Sequence, residues 1–190
     1  FIEQRASEAL SQPSSLNAFM RLHLNQWTQQ IERWLDMEHW DACGHEVDLD
    51  ALEGRECYMG LDLSSKLDLT ALALIFPPTD DDLWRLWVNC YIPKATMVER
   101  ERVDRIPYAT WEREGWITPT EGDVIDYKWI EKDILELSER FNVQEVAYDP
   151  WSAQQTALRI RDDMGIAAVP IRQGFMSLSE PTKEFERLVV

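Results

Sequence analysis

Residues 56–76 read ECYMGLDLSSKLDLTALALIF, and the order of apolar and polar positions in this stretch decides the architecture. Cys57, Met59 and Leu61 recur at the two-residue period of a strand. Thr70 to Phe76 is a second run, rich in apolar residues and closed by Pro77-Pro78. Thr79-Asp80-Asp81-Asp82 then makes a turn, and Leu83 to Ile92 alternates again before Pro93. Strands joined by so little chain pair antiparallel, because a parallel pair needs a crossover of about a dozen residues or more. The stretch therefore predicts an antiparallel three-strand meander.

Working outward, residues 94–105 and 107–115 read as helices, the second bounded by Pro107 and Gly115. Tyr127 to Phe141 has the period of an amphipathic helix, with Trp129, Ile130, Ile134, Leu137 and Phe141 on one face. Val143 to Tyr148 reads as a short strand, Ser152 to Met164 as a helix stopped by Gly165, and Ala167 to Ile171 as a further strand. Glu180 to Val190 begins a last helix. A meander followed by β-α-β-α predicts an α/β fold with a mixed sheet, its later strands joined by right-handed parallel crossovers. That is the element order of the ribonuclease H-like fold. Toward the amino terminus, residues 1–12 read as a short charged helix stopped by Gln12-Pro13-Ser14-Ser15. A second helix begins at Ser15, with Phe19, Leu22, Trp27, Ile31, Trp34 and Leu35 near helical spacing. Trp40 to Asp50 is a polar connection. The expected organisation is a helical appendage or linker over 1–50 and a main domain over 51–190.

Hydrophobic residues make up 45% of the 190 positions, enough for a packed core and against disorder. The formal charge of −16 runs against a purely electrostatic nucleic-acid binder. The acid is uneven, however. Residues 121–149 carry nine acidic side chains against three basic, whereas 159–190 carry five of each. A site built from carboxylates is locally acidic until cations fill it. Three widely spaced cysteines, Cys43, Cys57 and Cys90, fit a reducing compartment better than a disulfide framework. There is neither a long apolar run nor a signal-peptide pattern, so no membrane association is expected. The chain opens on Phe1 and ends on the apolar Leu188-Val189-Val190, and is expected to be a piece of something longer.

Two acids fall at the carboxyl ends of apolar strands: Asp62 in Gly60-Leu61-Asp62-Leu63-Ser64-Ser65, and Asp149 in Ala147-Tyr148-Asp149-Pro150-Trp151. If those strands are parallel neighbours, their backbones lie about 4.8 Å apart and both carboxylates converge on one point. Bare, the pair repels and one member tends to hold its proton. A hard divalent cation, Mg2+ or Mn2+, removes that conflict and keeps coordination sites for phosphate. Two such ions about 3.5–4 Å apart supply an activated water and stabilise the leaving oxygen in phosphodiester hydrolysis. Asp62 is the candidate bridging ligand, Asp149 completes one ion site, and Asp68 reaches the second directly or through water. The plainer alternatives are a helix cap for Asp149 before Pro150 and a turn former for Asp68. Asp62 resists such a reading, because an unpaired charge in an apolar strand is costly. Lys66 and Arg172 are candidates for DNA phosphate contacts. His39, Cys43, His45 and Cys57 match no common zinc spacing.

Gly60-Leu61-Asp62-Leu63-Ser64-Ser65 with Asp68-Leu69-Thr70-Ala71 resembles the first nuclease motif of tailed-phage terminase large subunits, and Val146-Ala147-Tyr148-Asp149-Pro150-Trp151 resembles the second. Between them, Tyr108-Ala109-Thr110-Trp111 with Gly115, and Gly122-Asp123-Val124-Ile125-Asp126-Tyr127, keep the family's spacing. Ile171-Arg172-Gln173-Gly174 and Leu178-Ser179-Glu180-Pro181-Thr182-Lys183 continue it. Leu22-His23-Leu24-Asn25-Gln26-Trp27 is similar to the family's joint between ATPase and nuclease. The resemblance covers about residues 19–190. It implies a ribonuclease H-like nuclease that cuts double-stranded DNA in the host cytoplasm with Mg2+ or Mn2+, working beside a portal protein and a small terminase subunit. It also implies a third catalytic acid in a C-terminal helix, which no residue here matches, so the stretch is expected to be weak or inactive by itself. No Gly-x-x-x-x-Gly-Lys-[Ser/Thr] loop is present, and ATP belongs to the ATPase of the full protein.

Two other functions are compatible with these residues. Asp62-Leu63-Ser64-Ser65-Lys66 faintly resembles the phosphate-binding turn of actin-like and sugar kinases, though this turn lacks the glycines that let a backbone approach phosphates. The other is a non-enzymatic docking module of a packaging motor, favoured by the acidic surface and the tryptophan-rich appendage.

Overall fold

A computed structural model describes residues 2–11, 13–25, 34–64, 68–80, 83–151 and 153–190. The chain divides into two compact units, residues 47–177 and residues 1–46 with 178–190.

The larger unit is built on a six-stranded sheet in the order 117–120, 85–93, 70–76, 56–62, 142–148 and 167–170. β1 (Glu56–Asp62), β2 (Thr70–Phe76) and β3 (Arg85–Pro93) form the expected antiparallel meander. β5 (Asn142–Tyr148) returns to lie parallel beside β1, and β6 (Ala167–Pro170) lies parallel beside β5. The mixed α/β fold read from the sequence is the fold observed. One strand lies outside that reading: β4 (Ile117–Thr120) pairs parallel with β3 at the sheet's edge. Four residues are too few to show an alternation, and Pro119 argues against a strand except at an edge, where β4 lies. The crossover into it is α4 (Lys94–Asp104) and α5 (Tyr108–Arg113).

One face of the sheet carries the main core. Cys57, Met59, Leu61, Leu72, Leu74, Phe76 and Val146 are buried there beneath Ile130, Ile134 and Leu137 of α6 (Tyr127–Arg140). Phe76 meets Phe141 edge to face, with ring centroids 5.1 Å apart. Each such side chain contributes about 1.5–3 kcal/mol by leaving water. Trp129, expected on the same stripe, is 40% exposed. At about 100° per residue it falls beside the line through Ile130, Ile134 and Leu137, not on it. α7 (Gln154–Asp162) adds Ile160 to the core and ends ahead of Gly165, whose φ of 71° suits the left-handed turn into β6. A second cluster, Ile92, Met97, Tyr108 and Ile117, ties α4 and α5 to β3 and β4.

The smaller unit holds α1 (Ile2–Ser11), α2 (Pro13–His23), α3 (Met37–Ala42) and most of α8 (Phe175–Val189). The expected continuation of the second helix through residues 26–33 lies outside the described residues. α3 interrupts what reads as a polar connection. Its N-cap explains it, since Asp36 accepts the Glu38 N–H at 2.8 Å. Trp34 and Trp40 approach Phe185 with ring centroids 6.0 and 6.2 Å apart. α8 starts at Phe175 rather than Glu180, with Pro181 inside it. Proline belongs in the first turn of a helix, and a boundary set by that preference falls too late here. Among the described residues no helix is long and apolar enough to cross a membrane.

Candidate active site

Asp62 is the last residue of β1 and pairs across the meander with Ala71. On its other side β1 runs parallel to β5, with Gly60 opposite Ala147 and Leu61 opposite Tyr148. Asp62 is the next and last residue of β1, and Asp149 is the residue that follows β5. The register thus brings both acids to the carboxyl end of neighbouring strands, about 4.8 Å apart in backbone. Asp62 is exposed and Asp149 half-buried. Asp62 lies on the sheet face of Gly60, opposite the core, as alternation requires.

The chain just past Asp62 is held from several directions. The Ser64 N–H donates to Thr70 Oγ1 at 3.0 Å, and Ser64 Oγ donates to the Asp68 carbonyl at 2.7 Å. The Tyr127 hydroxyl, at the start of α6, donates to the Ser64 carbonyl at 2.6 Å. Thr70 is fully buried, so this brace is anchored in the core. Sequence reasoning misses it: Tyr127 reads only as the start of a helix, and a contact spanning 63 residues leaves no local pattern. Asp149 is braced differently. Its Oδ1 accepts the Trp151 N–H at 3.1 Å, an Asx turn that leaves Oδ2 free of that bond.

Asp68 stands apart. Its Oδ1 accepts the Leu69 N–H at 3.0 Å and a 3.4 Å bond from Arg100 Nη2, on a side chain 80% exposed. Arg100 also holds Asp104 at 2.9 Å, and the Tyr108 hydroxyl donates to Asp104 Oδ2 at 3.0 Å. Burial and the bond to Asp104 push the Tyr108 phenol up from its ordinary range. Among the described residues no group of three or more acids, histidines or cysteines is placed to hold a metal ion. Lys66 lies outside the described residues. Arg172 follows β6 and lines a cleft of about 710 Å³ with Tyr148, Pro150, Gln154 and Ile171, on the same edge as Asp149.

A mixed sheet thus carries two acids at the carboxyl ends of adjacent strands. The sequence matches the family described as terminase large subunit, endonuclease domain, over residues 1–190, and the chain belongs to that family. It is 33% identical over 189 residues to the large terminase subunit of Enterobacteria phage HK97, covering 98% of this chain and 36% of that protein. It is 24% identical over 197 residues to protein YmfN of Escherichia coli strain K12, covering all of this chain and 43% of that protein. The crystal structure of the HK97 bacteriophage large terminase superposes with a TM-score of 0.71 at 32% identity, over 98% of this chain and 38% of that one. The chain thus spans less than half the length of the relatives it matches.

Proposed function

We propose that this chain is a metal-dependent endonuclease that hydrolyses phosphodiester bonds of double-stranded DNA, with Asp62 and Asp149 as its central ligands. The observation that carries the reading is the β1–β5 register, in which Leu61 and Tyr148, the residues just before the two acids, are partners at the carboxyl end of the sheet. Carboxylate oxygens are the donors Mg2+ and Mn2+ take, so the pair fits such an ion. Bound there, two ions would supply a water made nucleophilic near neutral pH and charge stabilisation for the leaving oxygen. The residues do the positioning. Asp62 would be the ligand shared by both ions, on a chain held by the Ser64–Thr70–Tyr127 brace. Asp149 offers Oδ2 while its other oxygen stays on the Trp151 amide. Asp68 acts at longer range, through water, with Arg100 as its counter-charge. Arg172 meets a DNA phosphate beside Asp149, and Lys66 is proposed for the same role on the other side.

Of these three acids only Asp62 and Asp149 would bind an ion directly, short of the roughly three or four carboxylates that two ions need, so these residues alone would hold the second ion weakly and turnover would be slow. In the whole protein the partners proposed are double-stranded DNA, a portal protein and a small terminase subunit, with ATP serving a separate ATPase, all in the host cytoplasm. The decisive test is calorimetric titration with Mn2+, which does not require turnover. Asp62→Asn and Asp149→Asn should each abolish the strongest binding event; binding unchanged in both variants would falsify the proposal.

A further inference from the structure

Trp151 is the second residue after Asp149 and is 88% exposed, although an indole in water gains nothing toward folding. Its backbone N–H is bonded to the Asp149 carboxylate, which fixes where the main chain presents the indole beside that acid. It lines a cleft of about 510 Å³ between the first turns of α6 and α7. That size lies within the ~300–1,000 Å³ typical of small-ligand clefts.

The cleft is polar and largely built. Arg159 grips Glu131 through both carboxylate oxygens at 2.6 and 2.9 Å, and Thr156 Oγ1 donates to Glu131 at 3.0 Å, so one wall is rigid. Gln154 and Gln155 supply amide donors and acceptors. Lys128 is a cation on the rim with no ion pair among the described residues. A flat apolar platform, amides that can satisfy a base edge, and a cation for phosphate are together the chemistry that recognises a nucleotide.

In intact duplex the base faces are covered by their neighbours, so a stacking platform can serve only a nucleotide that has left the stack. We propose that Trp151, with Lys128 and Gln155, forms a subsite for an unpaired nucleotide next to the scissile bond, as at a frayed or freshly cut strand end. The proposal rests on the nuclease reading and names the part of the DNA that this edge of the site receives. Trp151 is then a positioning residue, since the stacked base holds the strand while the neighbouring phosphate faces Asp149.

The test uses the full chain in the Asp62→Asn background with EDTA, so that nothing is cut. The probe is a hairpin DNA with a short single-stranded tail carrying 2-aminopurine, compared with the same hairpin blunt-ended. Trp151→Ala should weaken tailed-DNA binding by about 5- to 150-fold, the range one base–aromatic stack supports. Trp151→Phe should retain most of the affinity and the quenching of 2-aminopurine, and blunt-hairpin binding should change less than about twofold. Lys128→Gln should lower the slope of log affinity against log salt by about 0.7, one single-strand phosphate. Equal affinity of wild type and Trp151→Ala for the tail overturns the subsite, and so does an equal loss on tailed and blunt DNA. Manganese-dependent nicking of paired DNA by the chain with Asp62 intact, measured alongside, judges the nuclease reading separately.

Discussion

The two faces of the sheet in the larger unit differ in kind. On one, Met59, Leu61, Leu72, Leu74 and Val146 are buried almost completely under α6. On the other, Gly60 sits beside Ala73 and Ala147 in register, all half-exposed, and Leu86 and Val88 of β3 are 40% and 46% exposed. The same strands therefore supply stability from one face and candidate chemistry from the other. A carboxylate can sit at the end of β1 because the buried face already holds that strand in place. The open face can keep small residues because little of the fold's free energy depends on them.

That contrast can be broken most severely at the acids. Asp62→Asn should reduce nicking by more than the ~10–100-fold that loss of an outer partner of a metal site costs, with no fall in melting temperature. A comparable loss of thermal stability would mean that Asp62 is structural. Next in size is the buried face: Leu74→Ala should cost about 2–5 kcal/mol in urea denaturation, with Mn2+ affinity of the folded fraction unchanged. Alkaline titration probes the same face. Burial pushes the Cys57 thiol up to about 11, Glu56 adding to it, against an ordinary value of 9.0. The folded chain then keeps a proton the unfolded chain loses, so the stability this thiol contributes is full below pH 9 and declines between pH 9 and 11. A Cys57→Ala variant should show a shallower loss over that window, and exposed Cys43 should alkylate in the native chain before Cys57 does. The smallest effect belongs to the open face. A methyl group on Gly60 meets only Ala73 Cβ at 3.9 Å, so Gly60→Ala should be neutral or stabilise by up to about 1 kcal/mol. A loss of more than about 1 kcal/mol there would show that this face is packed as tightly as the other.

Much of this is legible in the residue order. Alternation at Cys57, Met59 and Leu61 marks the buried side of β1, and Ile130, Ile134 and Leu137 mark the stripe that covers it, because burial imposes periods of 2 and 3.6 on the chain itself. Asp62 and Asp149 stand out for the same reason, as charges at the ends of apolar runs. β4 does not, since its four residues are too short for a period and its proline points away from a strand. The start of α8 is misplaced in such a reading because Pro181 outweighs the weaker helical signal before it.

What the amino-acid order determined alone is most of the elements, their buried faces and two acids at the ends of apolar strand runs. Which strands neighbour each other was decided by the tertiary structure: β5 could have joined either edge of the meander, and it pairs with β1, with Leu61 opposite Tyr148. The reach of Tyr127 to Ser64, the pairing of Asp68 with Arg100 and the cleft beside Trp151 are likewise tertiary. Each joins residues far apart in the chain, and hydrophobic periodicity records only whether a residue is buried, not which residue it meets.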